Sequence, residues 1–163
     1  MSSQPTRDIR GVMISVTGAR VLLPNATVAE VITYSPPEPM DAAPDWMLGH
    51  IRWRGWSLPV ISYARMIGSA LDEGEFGAKI VVLKALGGNP RHSYFALLAQ
   101  GFPRLVTVSR DALMQHEADP EGTVAAQDDS VLMHVRLRDE DAVIPDVAII
   151  EDRITALDAL RVA

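Results

Sequence analysis

Two short segments of the sequence that resemble each other decide the fold class. Residues 50–54 read His-Ile-Arg-Trp-Arg, and residues 134–138, which lie 84 positions later, read His-Val-Arg-Leu-Arg. Polar and apolar residues alternate in both, which is typical of a β-strand with one face in a core and the other in solvent. Each segment is followed by a turn and by an apolar strand that contains a proline. The repeat predicts two similar β lobes in tandem, with chance similarity between amphipathic strands as the alternative.

Short apolar runs separated by Gly, Pro, Asn and Asp extend the β pattern along the chain. Most connections are too short for crossover helices, so neighbouring runs are predicted to form antiparallel hairpins. Helices are predicted at 63–67, at 109–114 and at the C-terminal end, where Ile154, Leu157 and Leu160 form an apolar stripe. The predicted strands are 11–16, 19–23, 28–33, 47–53, 56–61, 78–86, 93–100, 105–108, 131–138 and 142–150.

A length of 163 residues suits one domain of two packed lobes. Residues 1–10 are polar and predict a flexible tail, and a single domain is expected at 11–162. Its first lobe is expected mainly at 11–75 and its second mainly at 76–150, with a terminal helix at about 152–162 and strands that can be exchanged between the lobes. One repeat of about 70 residues buries little core alone. The lobes are therefore expected to pack together and to leave a groove between them.

Composition excludes several classes of function. The formal charge of −6 argues against a phosphate-binding surface, so nucleic acid is not an expected partner. The chain has no Cys, which excludes disulfides and thiolate metal sites and fits a reducing cytoplasm. No 18 apolar residues run together, and the polar start has no signal segment. We therefore expect a cytoplasmic protein without direct membrane insertion.

The sequence lacks the common motifs of catalysis, metal binding and cofactor binding. His116-Glu117 begins like a zinc-protease motif, but Pro120 stands where a second His is needed. Gly87-Gly88 is followed by Asn89-Pro90, which is not a phosphate-binding loop. The acidic run 139–141 is typical of a solvated turn. These residues therefore give no support for an enzyme, and no cofactor or metal is expected, although an enzyme stays possible at this point.

Arg54 and three tryptophans are candidates for a binding surface. Arg54 precedes Gly55 at a predicted turn, where its planar guanidinium can reach a carboxylate or carbonyl of a partner. The alternative is an ion pair with one of the protein's own acids. Trp46, Trp53 and Trp56 lie within eleven residues, and Trp is enriched at interfaces. Alternation places Trp53 in the core, so Trp46 and Trp56 are the interface candidates, and burial of all three is the alternative.

Over about residues 11–162, the order of several motifs resembles the CheW family of bacterial chemotaxis adaptors. The ChpC branch of that family, which serves chemosensory systems of type IV pilus twitching, is suggested by residues 46–50 and 99–104. The segments that carry the family resemblance are, in order, Val28-x-Glu30-Val31, Ala43-Pro44-Asp45-Trp46, Gly49-x-Ile51-x-x-Arg54-Gly55, Pro59-Val60-Ile61, Ile80-Val81-Val82-Leu83, Ala96 to Leu105, and Val143-Ile144-Pro145-Asp146.

The resemblance implies an all-β fold with a few short helices, in which two five-stranded SH3-like β-barrels are intertwined. It implies a non-catalytic adaptor that couples the cytoplasmic tip of a methyl-accepting chemoreceptor to the regulatory domain of a CheA-type histidine kinase. Such adaptors work in the cytoplasm and are recruited to membrane-associated receptor arrays. The receptor-binding groove carried over from the family consists of Val28, Glu30, Val31, Gly49, Arg54, Gly55, Ala96 and Leu105.

In the implied groove a receptor helix lies on apolar side chains, while Arg54 sets its register through charge-assisted hydrogen bonds. The chain departs from the family where Ser62, Gln100 and Arg104 occupy commonly acidic positions. The altered charge favours a dedicated receptor and kinase over a general set, because charge complementarity governs partner choice.

Two other classes of function stay open at this point. One is a small-ligand-binding or enzymatic β-barrel that uses the cleft between the lobes, for which His50, His134 and nearby acids would have to converge. The other is a nucleic-acid-binding module that uses the two His-x-Arg-x-Arg segments, which the net charge makes improbable.

Overall fold

The computed structural model describes residues 8–69, 76–87, 93–109, 112–115 and 128–162, which form two β-sheets and two α-helices. A 3₁₀ turn at Asn25–Thr27 joins the second and third strands. The strands are β1 (Ile9–Val16), β2 (Ala19–Pro24), β3 (Val28–Thr33), β4 (Met47–Trp53), β5 (Trp56–Ile61), β6 (Lys79–Lys84), β7 (Tyr94–Ala99), β8 (Arg104–Val108), β9 (Leu113–Gln115), β10 (Val131–Leu137) and β11 (Glu140–Pro145), and the helices are α1 (Tyr63–Met66) and α2 (Val147–Val162).

The two sheets repeat one strand order. Sheet A has the order β8-β1-β2-β11-β10-β9, and sheet B has the order β3-β6-β7-β5-β4. The orders coincide when β1 is matched with β6, β2 with β7, β3 with β8, β5 with β11 and β4 with β10. In both sheets the one parallel contact lies between the matched pairs β2·β11 and β7·β5. The internal repeat predicted from the sequence is therefore present in the topology.

Each sheet takes strands from both halves of the chain. Sheet A combines β1 and β2 with β8 to β11, whereas sheet B combines β3, β4 and β5 with β6 and β7. Strands are thus exchanged between the halves that the sequence places at 11–75 and 76–150. The predicted fold class, mostly β with a few short helices, is confirmed.

Both sheets close into barrels. In sheet B the chain that leaves β3 returns to the opposite outer strand, where Glu38 and His50 exchange two backbone hydrogen bonds of 2.8 and 3.0 Å. In sheet A the chain that leaves β8 returns as β9, which pairs with β10. When β8 and β9 are counted as one bent strand, each barrel has five strands, as predicted. We call them barrel A and barrel B after their sheets.

Alternation along the strands separates three apolar cores. The interior of barrel B contains Ile51, Trp53, Leu58, Val60, Ile80, Val82 and Ala96. The interior of barrel A contains Met13, Leu22, Val135, Leu137 and Ala142. A larger third core lies between the barrels, and we call it the central layer. It is formed from sheet A by Val12, Ile14, Val16, Val21, Leu23 and Val143, from sheet B by Met47, Ile61, Val81, Leu83, Phe95, Leu97 and Ala99, and from the segments around the helices by Tyr63, Ala64, Met66, Ile67, Val147, Ile150 and Ile154.

The two helices cover the central layer. The predicted turn at 63–67 is α1, which Ser62 caps by accepting a hydrogen bond from the Arg65 amide. Helix α2 buries Ile150 and Ile154, which lie one turn apart on one face. None of the described helices is both long and apolar enough to span a bilayer.

Two predicted boundaries were wrong. The strand predicted to continue to residue 150 ends at Pro145, and α2 begins at Val147 rather than at about 152. Proline cannot donate to a further ladder, and the Asp146 side chain accepts a hydrogen bond of 3.3 Å from the Ile149 amide at the start of the helix. The helix predicted at 109–114 includes two residues outside the described ranges, and its last residues belong to β9 instead.

A buried polar cluster ties α1 and α2 to the start of β10. The Tyr63 hydroxyl donates a hydrogen bond of 2.9 Å to the Ser130 carbonyl, and the Ser130 hydroxyl donates one of 2.6 Å to Asp128. Arg153 of α2 lies 3.1 Å from the same Asp128 carboxylate. Burial is the main reason that the pKa of Tyr63 is raised well above its usual range. Tyr63 is therefore a neutral donor at any physiological pH.

Replacing Tyr63 with Phe should lower the free energy of unfolding by about 1 kcal/mol, because one buried hydrogen bond is lost. The Ser130 carbonyl keeps a partner, since the Asp146 amide also donates to it at 2.7 Å. Urea unfolding followed by circular dichroism measures the change. Tyr94→Phe is the matched control, since the Tyr94 hydroxyl makes no hydrogen bond with the described residues, and this change should be nearly neutral. Equal losses in the two variants would contradict the role given to Tyr63.

Candidate functional site

The eight residues of the predicted groove lie in four places. Three are on β3, three belong to the hairpin of β4 and β5, and β7 and β8 carry one each. In that order they are Val28, Glu30 and Val31, then Gly49, Arg54 and Gly55, then Ala96, then Leu105.

Glu30 and Arg54 join the two outer strands of barrel B. The Glu30 carboxylate accepts a hydrogen bond from the Trp53 indole nitrogen, and its Oε2 lies 3.6 Å from Nη2 of Arg54. The Arg54 guanidinium also lies over the Trp53 ring, 4.7 Å from the centroid. The alternative in which Arg54 pairs with one of the protein's own acids is thus what the structure shows.

This internal pairing leaves Arg54 accessible to a partner. Its side chain is 65% exposed, and such a surface ion pair contributes at most about 1 kcal/mol. A partner's carboxylate can therefore compete with Glu30 for the guanidinium. Contact with the indole limits the conformations of the Arg54 side chain before a partner binds. Less conformational entropy is therefore lost on binding.

Barrel A repeats this closure with reversed charges. In barrel B, Glu30 of β3 lies opposite Val82 of β6. In barrel A, Arg104 of β8 lies opposite Met13 of β1, the strand that matches β6. Arg104 pairs with Glu140 at the β10–β11 turn, and a hydrogen bond from Arg104 is the main reason that the pKa of Glu140 is lowered. Arg104 therefore has a partner within the protein.

Three apolar residues of the predicted groove lie at the edge of the central layer. Val28 and Val31 are half-buried and pack against it. Leu105 lies directly opposite Val12, whose side chain is in the central layer, so both side chains are on the same face of the sheet. Leu105 is nevertheless 65% exposed. Strand β3 thus packs two apolar side chains against the central layer, whereas Leu105 of the matched strand β8 shares the face but stays largely exposed.

Two predicted groove residues have no surface to offer. Ala96 is fully buried in the interior of barrel B, so it affects the groove only through packing. Gly49 is buried and has a φ of 137°, and a Cβ on it would lie 2.1 Å from the Glu38 carbonyl oxygen. Gly49 therefore allows the close approach by which barrel B closes.

Gly55 is exposed and completes a two-residue turn. Arg54 and Gly55 have φ values of 48° and 81°, as the tight hairpin turns that match the twist of the strands require. Arg138, which follows the matched strand β10, also has a positive φ of 56°. The repeated segments therefore both end on an arginine in the left-handed region.

The three tryptophans and one phenylalanine differ in how deeply they are buried. Trp53 is buried, as predicted, whereas Trp56 is exposed and Trp46 packs against the edge of the central layer. Sequence reasoning missed Phe102, which is exposed, with Nζ of Lys79 4.6 Å from its ring centroid. The sequence signal that could have identified Phe102 is an aromatic residue between Gly101 and Pro103, two residues typical of turns.

A polar cleft of about 470 Å³ lies beside barrel B and is lined by Glu38, Pro39, Met40, Asp41, His50 and Ser57. His134, which the enzymatic alternative places with His50, is in the other sheet. Within the described ranges, no three His, Asp or Glu side chains come close enough to share a metal ion.

Comparison with known proteins agrees with this architecture. The family model of the CheW-like domain matches residues 10–152. The chain therefore belongs to the CheW-like domain family, as the sequence motifs predicted, and proteins of this family are non-catalytic scaffolds of chemotaxis. The match covers both barrels and the first residues of α2.

A solved structure has the same fold. The crystal structure of the scaffolding protein TtCheW from Thermoanaerobacter tengcongensis superposes with a TM-score of 0.69 at 16% sequence identity, and the alignment covers 90% of each chain. No curated protein sequence matches the chain.

The two glycines of the hairpin should differ in their tolerance of a side chain. Gly49→Ala should destabilise the protein by about 3 kcal/mol or more, because its Cβ would meet backbone at the barrel closure. Gly55→Ala should cost about 1 kcal/mol, which is the strain of a left-handed alanine, since no atom lies within 4 Å of its Cβ. Thermal unfolding of the two variants tests this order, and a larger loss in Gly55→Ala would show that Gly49 does not control closure.

Proposed function

We propose that the protein is an adaptor that couples chemoreceptors to a CheA-type histidine kinase. In this proposal the helical tip of a receptor lies along the edge of the central layer. The observation that carries it is the position of Val28, Val31 and Leu105 at this edge, with Arg54 exposed at the end of β4. An apolar strip bordered by a guanidinium is the surface that an amphipathic helix with a carboxylate recognises.

The expected energetics follow from the exposure of the groove. Covering Leu105 removes most of an exposed leucine from water, which contributes about 1–2 kcal/mol. The half-buried Val28 and Val31 add less area but present a fixed surface, because they already pack against the central layer. Arg54 exchanges its weak pair with Glu30 for the partner's carboxylate, so its main contribution is to register and specificity.

The kinase is proposed to dock through its regulatory domain on a barrel end, and we assign no residues to that contact. We further propose that the protein acts in the cytoplasm at receptor arrays. The resemblance of residues 46–50 and 99–104 to the ChpC branch supports a pathway linked to type IV pili and twitching motility. In all of these roles the chain itself performs no catalysis.

Arg54→Glu should abolish co-sedimentation of the protein with receptor and kinase and leave thermal unfolding nearly unchanged. The substitution reverses the charge that faces the partner, whereas the exposed pair that it breaks contributes little to stability. Co-sedimentation with receptor-containing membranes and kinase measures the effect.

Arg138→Glu is the matched control. Arg138 has the same left-handed backbone conformation at the corresponding turn of barrel A and is also exposed. This variant should bind as the unsubstituted protein does. Equal loss of binding in both variants, or unaltered binding in Arg54→Glu, would remove Arg54 from the proposed site.

A further inference from the structure

Charge is unevenly distributed along the chain. The segment Gly77–Arg110 contains five Lys or Arg and no Asp or Glu, although the whole chain carries a formal charge of −6. This segment forms β6, β7 and β8. Three of the five cations, Lys79, Lys84 and Arg104, lie on these strands, and Arg104 is paired with Glu140.

One of these cations lies at the edge of the central layer. Lys79 is two residues before Val81, whose side chain is in that layer, so alternation places Lys79 on the same face of β6. Val31 lies opposite Val81 on β3 and shares this face. Nζ of Lys79 reaches the ring of Phe102, 4.6 Å from its centroid. A cation thus borders the apolar groove on the side of β8.

Two large apolar side chains at the start of β8 are open to solvent, and the first of them, Phe102, contacts this cation. Phe102 is 76% exposed and Leu105 is 65% exposed. We call Val31, Lys79, Phe102 and Leu105 the rim patch. Across the portion of the chain that the structure describes, no carboxylate comes within ion-pair distance of Lys79. The patch therefore combines exposed apolar area with a charge that no described acid neutralises.

Covering the patch has a consequence for the chemistry of the partner. A partner that buries Phe102 and Leu105 also removes water from the Lys79 ammonium, and a desolvated cation is costly unless an acid is supplied. A purely apolar or basic contact face would leave the desolvated Lys79 ammonium without a counter-charge. An apolar stripe flanked by Asp or Glu would supply one.

We propose that the rim patch docks an amphipathic helix whose apolar stripe is flanked by acidic residues, with one carboxylate on Lys79. The proposal rests on the proposed adaptor function and names the chemistry of the helix face that the adaptor takes. A helix fits better than an added strand, because the patch consists of side chains from β3, β6, β8 and the loop before β8 rather than the amides of a free edge. Lys79 and Phe102 then determine which helix is accepted.

Two synthetic helical peptides of equal length test this. They share one leucine stripe, which is flanked by Glu in the first and by Lys in the second. Fluorescence anisotropy with the full chain at low salt should show about five- to tenfold tighter binding of the Glu peptide, and added salt should reduce the difference. Lys79→Glu should reverse the preference, and Phe102→Ala should weaken both peptides.

Lys84→Glu is the matched control, because Lys84 lies on the same strand but alternates with Val82 towards the other face. It makes the same change in net charge and should keep the preference for the Glu peptide. Equal affinity of the two peptides, or the same reversal in Lys84→Glu, would overturn the proposal. So would loss of binding to phosphatidylserine vesicles in Lys79→Glu without any peptide preference, since the patch would then bind lipid.

A fragment of a receptor tip separates this inference from the adaptor function. If the fragment binds and depends on Arg54 but not on Lys79, the adaptor function stands and the rim patch proposal is wrong. If the fragment fails to bind while the Glu peptide still shows its Lys79-dependent preference, the rim patch stands and the receptor is not its partner.

Discussion

The central layer between the barrels is the contact on which the rest of the structure depends. Each repeat contributes strands to both sheets, so neither barrel can close from one half of the chain. The faces of β1, β2, β6 and β7 that point away from the barrel interiors are apolar and bury against each other and against α2. A repeat of this size buries too little area to offset its own conformational entropy, so the shared layer stabilises both at once. Its edge, where burial is incomplete, is the place at which a partner can add apolar area.

The two barrels share one strand order but differ in the charges of the residues that pair at their closure. Barrel B closes with an acid on β3 and a base at the hairpin, whereas barrel A closes with Arg104 on β8 and Glu140 at the hairpin. The acid and the base have exchanged places between the two pairs, and the arginine is the more exposed partner in each. The two sides of the groove therefore differ chemically, although the strands that form them match one to one. In the proposed docking, this asymmetry would favour one direction of the helix, because electrostatic complementarity distinguishes the two orientations.

Much of this fold could be predicted from the sequence, and the exceptions have physical reasons. Strands β3, β4 and β5 have the predicted bounds, because their alternation stops at turn residues such as Gly55. The end of β11 was missed because apolar residues continue through Pro145 into α2, so only the proline and the capping Asp146 mark the change. From the sequence alone, Ala96 could line a groove or lie in a core. In the structure its strand β7 pairs with β5 and β6, and this pairing buries it. The contact between Lys79 and Phe102 depends on tertiary structure, which no local pattern shows.

The most direct test of the account is a methyl NMR titration of the full chain with a helical receptor-tip fragment. If the edge of the central layer is the docking site, the methyl signals of Val28, Val31 and Leu105 should shift together, while those of Val135 and Leu137 inside barrel A stay in place. Shifts confined to the outer face of barrel A at Leu132 and Met114 would contradict the account, because the helix would then bind away from the layer that the two barrels share.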